Sequence, residues 1–406
     1  MIYKQPKEAT TELTYTRSGA ATAWRKDGTL AEFAPNVIRR TDAGVLIEGQ
    51  RTNLYLRWDP TIEQISTKGG DVSNVQPPAN APLAGRNWVG LGAGNVSAPS
   101  YMYNQCSAVA ASTVVTLSFL CETPDVTPPV YGPGANSDFD VGLVNGYALT
   151  GTSFSTIRRS GNIWECRLTG VTPAAGASVF GGVRRTQAAQ NQRPLKFSGF
   201  QLEQASAASS PIITTGAPAT RGADNLRLSL TKGPEGTAMV EWVEAGMPYP
   251  PGNPRLLGTN GMASSSLISF SSNSASVTET WNGSRSMEVG HPPRIAGQTY
   301  RAALSWGAFG RKLAALGILA NDAQQVSAFT EVTIGRAPEA QTYITRCLFL
   351  PYALTDEELV KLTSLNDTTF DYLSPGGVYY YDAGQTAMPR KSQVVAPISS
   401  DRELIL

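Results

Sequence analysis

Two carboxylates, Asp138 and Asp140, are the residues whose types and spacing most directly suggest catalysis. Their i, i+2 spacing would place both side chains on one face of a strand. Paired carboxylates about 5–9.5 Å apart hydrolyse glycosidic bonds. Acidic residues at the junction of a loop and a strand are also common turn formers. Glycan hydrolysis is therefore an alternative function, and no catalytic residue is assigned.

The single histidine, His291, would have to serve any Ser–His–acid mechanism, but no cysteine or acid is patterned around it. We expect it to be a surface-loop histidine. The chain has four cysteines: Cys106, Cys121, Cys166 and Cys347. They show no C-x-x-C spacing, so we expect buried reduced thiols, no metal and no cofactor.

Sugar binding is the second chemistry that the residue types allow, because aromatic faces and planar amides suit pyranose rings. The candidates lie in Gly-, Asn- and Ser-rich contexts: Trp88, Tyr101, Tyr103 and Trp281. Packing in a core or an interface is the alternative role for such residues. One shallow site would contribute only about 4 kcal/mol, a millimolar affinity. Display of many copies would multiply avidity by roughly 10²–10⁴.

The charge balance argues against a nucleic-acid partner, since the formal net charge is only +1. Three adjacent arginine pairs are predicted to be solvated strand edges or partner contacts: Arg39-Arg40, Arg158-Arg159 and Arg184-Arg185. No apolar run approaches the ~18 residues of a membrane span. The N-terminal residues lack the hydrophobic core of a secretion signal. We therefore expect neither membrane insertion nor export by the general route.

The apolar pattern predicts an all-β chain with two tandem antiparallel β-sandwiches. Apolar residues alternate with others from Val115 to Cys121 and from Trp164 to Leu168, a period of two. Between Phe197 and Phe200 the apolar residues change face across Gly199, which predicts a bulge. Asp27-Gly28 predicts a hairpin turn in the short-stranded N-terminal part.

At 406 residues the chain exceeds the size of one core. The predicted domains are an N-terminal attachment segment (1–57), a first sandwich (58–222), a second sandwich (223–370) and an extended tail (371–406). The segment 1–57 carries too little apolar surface to fold alone. We expect it to lie over the next domain or to dock onto another protein. The tail is expected to pack along a neighbouring subunit.

One helix is predicted near residues 355–366. Thr355 is its N-cap and Glu358 its N3 residue, which together make a capping box. Leu354 and Leu359 form a hydrophobic staple across the helix start. We expect this helix to cover one end of the second sandwich.

Two phrases stand out for their length, GVLIEGQRTNL at 44–54 and FQLE at 200–203 followed by SSPIITTGAPATRGAD at 209–224. Their polar residues are predicted to tie loops down by hydrogen bonds to backbone: Glu48, Arg51, Asn53, Gln201, Glu203 and Arg221. A ligand site in the first phrase is the alternative.

In this order the two phrases resemble those of bacteriophage virion fibres and head spikes, which carry carbohydrate-binding-like jelly rolls. Residues 223–370 resemble a laminin-G or concanavalin A-like sandwich. That second resemblance rests on residues 239–242, 300–306 and 354–359. The resemblance implies that FQLE forms the closing strand of the first sandwich and that the phrase 209–224 leads out of it.

The resemblance also implies a virion component, a tail fibre, head spike, baseplate or collar protein, that is assembled in the host cytoplasm and exposed on the particle. Other virion proteins are the implied partners. A homo-oligomer, most simply a trimer, is inferred from the family and from the low surface charge. Host-glycan adhesion without catalysis is the leading function, and a purely structural decoration protein is the main alternative.

Overall fold

A computed structural model of the chain describes the following residues: 7–8, 13–92, 99–133, 136–143, 149–173, 181–185, 193–244, 255–260, 266–270, 277–281, 286–290, 297–326, 328–336, 342–365 and 377–380. These residues are mainly β-strand, and they include one α-helix, α1 (Asp356–Thr363), and one 3₁₀ turn (Ile62–Gln64). The all-β prediction with a single short helix is confirmed.

The strands before residue 222 are β1 (Lys7–Glu8), β2 (Leu13–Thr16), β3 (Ala21–Trp24), β4 (Leu30–Phe33), β5 (Arg40–Thr41), β6 (Gly44–Ile47), β7 (Arg51–Asn53), β8 (Thr67–Gly69), β9 (Val72–Val75), β10 (Trp88–Leu91), β11 (Ser100–Tyr103), β12 (Val114–Glu122), β13 (Asp140–Leu143), β14 (Thr150–Ser160), β15 (Ile163–Val171), β16 (Gly181–Arg185), β17 (Leu195–Glu203) and β18 (Ala219–Arg221).

The strands after residue 222 are β19 (Asn225–Ser229), β20 (Gly236–Glu244), β21 (Arg255–Thr259), β22 (Ser266–Phe270), β23 (Val277–Trp281), β24 (Ser286–Gly290), β25 (Thr299–Gly307), β26 (Gly310–Ala315), β27 (Ile318–Asp322), β28 (Glu331–Arg336), β29 (Thr342–Leu350) and β30 (Gly377–Tyr380).

Two compact units divide the chain. Unit 1 comprises 1–18, 35–49 and 223–406, and unit 2 comprises 19–34 and 50–222. The predicted N-terminal segment 1–57 is thus shared between both units instead of standing apart. The reason is local: its short strands pair with strands that come much later in the chain, β2 with β19, β6 with β29 and β7 with β18.

Unit 2 is a β-sandwich. One sheet has six strands in the order β14-β15-β12-β17-β10-β9, and the other has four in the order β13-β16-β11-β8. Side chains of both sheets share one core, for example Phe119 and Phe197 from the first and Met102 and Val183 from the second. The period-two pattern produces this arrangement because alternate residues of a strand face the same side.

The predicted bulge is present in strand β17. Its pairing with β12 shifts register between Ser118 and Leu120, and Gly199 has φ +68°. Glycine adopts this conformation without the steric cost of a Cβ. Phe197 and Phe200 can therefore both enter the core. The hairpin at Asp27-Gly28 also forms, with β3 paired to β4.

Unit 1 is a second sandwich. Its seven-stranded sheet has the order β2-β19-β28-β21-β22-β23-β24. Its nine-stranded sheet has the order β1-β30-β29-β20-β25-β26-β27, with β6 added on β29 and β5 on β6. Val240 and Leu304 of the larger sheet and Leu228 and Val332 of the smaller one lie in the common core. Strand β30, from the predicted tail, pairs in parallel with β29.

Helix α1 begins as predicted, with Thr355 accepting a hydrogen bond from the backbone N–H of Glu358 and the Glu358 carboxylate accepting one from the backbone N–H of Thr355. Its position differs from the expectation. Leu359 and Leu362 pack with Met239 and Ala303, which lie on the face of the nine-stranded sheet that points away from the main core. The helix therefore covers an outer sheet face and not an end of the sandwich.

Candidate functional site

The first polar cluster, in unit 2, centres on Asn53, a fully buried residue. Its Nδ2 donates to the carbonyls of Phe200 at 3.2 Å and Ile212 at 2.9 Å. Its Oδ1 accepts from the backbone N–H groups of Tyr55 and Leu202, both at 3.1 Å. One amide therefore joins three chain segments, with both donors and both acceptor sites in use.

Gln201 and Glu203, on the closing strand β17, extend this cluster. Gln201 Oε1 accepts from the N–H of Ile212 at 2.6 Å, and its Nε2 donates to Glu203 at 2.9 Å. Glu203 also accepts from the backbone and the hydroxyl of Ser209. Burial raises the pKa of the Glu203 carboxyl, while the hydrogen bonds from Ser209 and the charges of Arg221 and Arg51 oppose that rise.

The two arginines of the ladder between β7 and β18 behave differently. Arg221 is fully buried and donates to Ser210 Oγ at 2.8 Å and to Ser209 Oγ at 3.3 Å. Arg51 lies opposite it in the register. Arg51 is only half-buried, and it donates to the carbonyl of its neighbour Gln50 at 3.1 Å. The predicted loop-tying role thus fits Arg221, whereas Arg51 ties no distant loop among the described residues.

Glu48 belongs to a second buried cluster, in unit 1. Arg39 donates to the carboxylates of both Glu48 and Asp224. The Glu48 N–H donates to Asp224 at 2.8 Å, and the Asp224 N–H donates to the Glu48 carbonyl at 2.9 Å. Arg17 and Tyr15 also contact Asp224. Burial of Arg39 is outweighed by the charges of Glu48 and Asp224, so the pKa of its guanidinium is raised and its charge is retained.

The candidate catalytic acids are each held by an arginine. Asp138 is fully buried, and Arg193 donates to its two oxygens, both at 2.7 Å. Arg184 donates to Asp140 Oδ2 from Nη2 at 2.8 Å. A general acid or nucleophile needs a carboxyl that reaches substrate. These two carboxylates instead bind guanidinium groups of the protein, so the arrangement does not fit hydrolysis.

The outer face of the four-stranded sheet in unit 2 holds the most suitable surface for a ligand. Tyr101 and Tyr103 alternate with the buried Met102 and stay half-exposed. Their ring centroids are 5.3 Å apart and the planes are inclined by 31°. A Cβ on Gly69 would lie 2.6 Å from the Tyr101 ring, and one on Gly182 would lie 2.7 Å from the Tyr103 ring. The Tyr101 ring therefore packs against Gly69, and Tyr103 lies against Gly182, where the Met102 carbonyl oxygen would be closer still to a Cβ, at 1.9 Å.

A charged pair borders the two rings. Tyr101, Arg184 and Asp140 occupy directly opposed positions on β11, β16 and β13, so they share the outer face. Burial alone would lower the pKa of the Arg184 guanidinium, but the hydrogen bond and the charge of Asp140 raise it. We call this set, Tyr101, Tyr103, Arg184 and Asp140, the tyrosine surface. It offers two aromatic faces beside polar planar groups, which is the chemistry that binds a sugar ring.

The other sequence candidates are placed differently. Trp88 is 2% exposed, so its ring packs inside unit 2 and offers no face to solvent. Trp281 lies on strand β23, but its side chain is outside the described residues, as is His291. The prediction of solvated arginine pairs is wrong for Arg39 and Arg185, which are 0% and 2% exposed. Arg39 binds carboxylates, and Arg185 donates to backbone carbonyls, including that of Asp138 at 2.9 Å.

Several residues of these sites carried no signal strong enough to single them out. Asp224, Ser209 and Ser210 lie inside the second phrase. Their place in that phrase is the feature of the sequence that could have pointed to them. Gly69 and Gly182 could not be linked to the tyrosines without knowledge of the strand register. The four cysteines are buried, as predicted, and form no disulfide with one another.

Two other kinds of site are absent from the described part of the chain. Nowhere in it do three or more His, Cys, Asp or Glu side chains group as a metal site would require. Likewise, within those ranges, no helix has the length and apolar character that crossing a membrane requires.

No protein-family model matches the chain, and no curated protein matches it. Solved structures with some likeness include a mutant Trypanosoma rangeli sialidase displaying trans-sialidase activity (17% identity, TM-score 0.26), with 31% of this chain and 22% of that one covered. A heptameric SAP-like pentraxin from Limulus polyphemus shows 15% identity and a TM-score of 0.26. The likeness covers 35% of this chain and 76% of the pentraxin chain.

A candidate carbohydrate-binding protein from Bacteroides ovatus shows 12% identity and a TM-score of 0.27, with 72% of this chain and 86% of that chain covered. The first of these likenesses spans less than a quarter of the sialidase's own length. At such TM-scores none of them carries a conclusion about what this chain does. The function has to be argued from its own residues.

Proposed function

We propose that this chain is a structural protein of a bacteriophage particle that binds host glycans without catalysis. The observation that carries the binding proposal is the tyrosine surface: two adjacent, half-exposed rings that pack against glycines, beside Arg184 and Asp140. A tyrosine side chain has only two χ angles, so little conformational entropy is lost when a sugar stacks on its ring. A shallow surface of this kind fits weak binding that many copies strengthen.

The absence of catalysis is proposed from the candidate acids themselves. The Asp138 carboxylate is buried and receives two hydrogen bonds from Arg193 and a third from the backbone N–H of Val130 at 2.7 Å. A carboxylate buried among these partners does not reach a glycosidic oxygen. The hydrolase alternative therefore loses the pair of residues on which it depended.

The assignment to a virion is supported by the resemblance of the phrases at 44–54 and 200–224. The phrases also share a physical task, which fits a protein selected to hold its shape. Strand β7 of the first phrase pairs with β18 of the second, and Asn53 bonds to Phe200 and Ile212. Other virion proteins and further copies of the same chain, most simply two in a trimer, are the proposed partners.

A glycan array probed with the full-length protein tests the binding proposal. We expect binding to a subset of glycans and a loss of at least about tenfold, or about 1.4 kcal/mol, in Tyr101→Ala. Phe309→Ala is the matched control, because Phe309 is also an exposed ring that lies over a glycine, Gly307, and beside a cation, Lys312. Equal losses in both variants would contradict a site at the tyrosine surface.

Two further outcomes separate the alternatives. Absence of binding to every host glycan, with a folded protein, would favour the decoration protein. Release of oligosaccharides from host capsule or lipopolysaccharide by the purified chain would restore the hydrolase. Mass photometry at micromolar concentration tests the oligomer: a trimer mass is expected, and a clean monomer would remove that part of the proposal for the free protein.

A further inference from the structure

A small cleft in unit 2 is not used by the function proposed above. It has a volume of about 170 Å³ and is lined by Gln50, Arg51, Thr52, Leu54 and Gln204. We call it the Arg51 cleft. Drug-sized ligands occupy pockets of about 300–1,000 Å³, so this cleft has room for one small ring. None of its residues belongs to the tyrosine surface.

The guanidinium of Arg51 has donors to spare. An arginine carries five N–H donors. Over the described residues, the hydrogen bond that Arg51 donates goes from Nη1 to the Gln50 carbonyl at 3.1 Å. Arg51 is half-buried and lines the cleft, so part of its surface is already held by the protein. The side chains of Gln50 and Gln204 are exposed at the same opening.

The charges around the cleft do not balance. Arg51 lies opposite Arg221 on the β7–β18 ladder, and like charges in opposed positions destabilise a strand pair. One carboxylate, Glu203, interacts electrostatically with both arginines. Within the described residues, two positive charges thus act on this one carboxylate, and Arg51, the less buried of the two arginines, lines the cleft. The charge of Arg51 is therefore available to an outside anion.

We propose that the Arg51 cleft binds the carboxylate of an acidic monosaccharide unit, such as a hexuronate. The planar guanidinium matches the two oxygens of a carboxylate in a bidentate pair. The amides of Gln50 and Gln204 can donate to and accept from ring hydroxyls, and Leu54 gives an apolar contact for the C–H groups of the ring. The single excess charge matches a carboxylate better than a doubly charged phosphate monoester.

The test is a titration of the full-length protein with D-glucuronate, followed by saturation-transfer NMR and calorimetry. Millimolar affinity is expected for glucuronate, and at least tenfold weaker binding for D-glucose, which lacks the carboxylate. Arg51→Gln is expected to weaken glucuronate binding at least tenfold. Arg51→Lys keeps the positive charge but loses the planar guanidinium. Its glucuronate affinity should therefore lie between those of the unchanged protein and Arg51→Gln. Melting curves of both variants show whether they remain folded.

Arg86→Gln is the matched control, because it removes the same charge from a surface arginine that pairs with Glu32 at 2.8 Å. Its glucuronate affinity should be unchanged. The proposal is overturned if Arg51→Gln binds glucuronate as the unchanged protein does, if both glutamine variants weaken it equally, or if glucose 6-phosphate binds more tightly than glucuronate. Neutral glycans bound at the tyrosine surface should keep their affinity in Arg51→Gln, so the two proposals can fail separately.

Discussion

The two outer faces of the unit 2 sandwich differ in how accessible they are to solvent, and the polarity of their residues does not predict which face is exposed. On the six-stranded sheet, Ser118, Glu165 and Gln201 are polar and yet buried. On the four-stranded sheet, Tyr101 and Tyr103 are partly apolar and yet half-exposed. Polarity by itself therefore did not decide which face meets solvent. The comparison shows that the elements laid over a sheet decide whether its outer residues act as structure or as surface.

The cover of the six-stranded sheet consists of the β3–β4 hairpin and the connection 205–214. Thr22 Oγ1 donates to the Pro211 carbonyl at 2.6 Å, and Thr116 Oγ1 donates to the Ala205 carbonyl at 2.8 Å. The guanidinium of Arg159 lies 4.1 Å from the ring centroid of Trp24. Buried polar groups are stable when they are hydrogen-bonded. The polar residues of this face are therefore what attaches the cover.

Removal of the Asn53 amide should break the covered face most severely. Asn53→Ala leaves the carbonyls of Phe200 and Ile212 and the N–H groups of Tyr55 and Leu202 without this partner. Each buried group left unpaired costs about 1–3 kcal/mol. We expect a loss of about 3–5 kcal/mol in the free energy of unfolding, measured by urea titration.

Thr52→Ala is the control for Asn53→Ala, since Thr52 is the neighbouring residue and bonds to Thr220 Oγ1 at 2.8 Å near the surface. Its loss should stay below about 1 kcal/mol. Similar urea midpoints for the two variants would contradict the assignment of Asn53 as the central tie between the two phrases.

The second test of the covered face is pH. Burial alone would raise the pKa of Glu165, but the charges of Arg159 and Arg167 and their hydrogen bonds lower it from 4.5 to about 2. Because the folded pKa lies below the unfolded one, ionised Glu165 stabilises unit 2 above about pH 4.5, and this stability is lost as the pH falls towards 2. The loss should amount to about 3 kcal/mol.

Glu165→Gln should be less stable at pH 7 and should lose less stability than the unchanged protein between pH 4.5 and 2, as followed by thermal unfolding. Glu122→Gln is the control: Glu122 lies on β12 and pairs with Lys196 at 2.7 Å in a more exposed position. Glu122→Gln should lose as much stability between pH 4.5 and 2 as the unchanged protein does. If the stability of Glu165→Gln falls with pH in parallel with that of the unchanged protein, Glu165 is not the source of the acid destabilisation.

Local patterns in the sequence predicted the parts of the fold that local physics controls. The alternation from Val115 to Cys121 predicted a strand with that set of residues in the core, and Thr355 with Glu358 predicted the start of the helix. The change of face at Gly199 predicted the bulge. In each case the residues that decide the structure are neighbours in the chain.

The rest depended on contacts between distant residues. The burial of Arg39 requires Asp224, which is 185 positions away, and the division of residues 1–57 between two units follows from three strand pairs that also join residues far apart in the chain. Of the sequence candidates for glycan binding, Tyr101 and Tyr103 lie on the tyrosine surface, whereas Trp88 is buried. A tryptophan in a glycine- and asparagine-rich context looks the same in sequence whether the fold buries it or leaves it exposed.

The smallest expected effect on stability, and the sharpest test of the open face, comes from Gly69→Ala. The new Cβ would lie 2.6 Å from the Tyr101 ring, while the backbone at Gly69 is not in the left-handed region. The ring is half-exposed and can swing outward, so we expect a stability cost of only about 1 kcal/mol, at the low end for overpacking. Glycan binding should fall severalfold, because the Tyr101 ring is displaced from its position beside Tyr103. Gly290→Ala is the control, since no atom of the described residues lies within 4 Å of its new Cβ. Unchanged glycan affinity in Gly69→Ala, with a ring shown by NMR to have moved, would mean that the tyrosine pair only packs against the sheet and is not a binding surface.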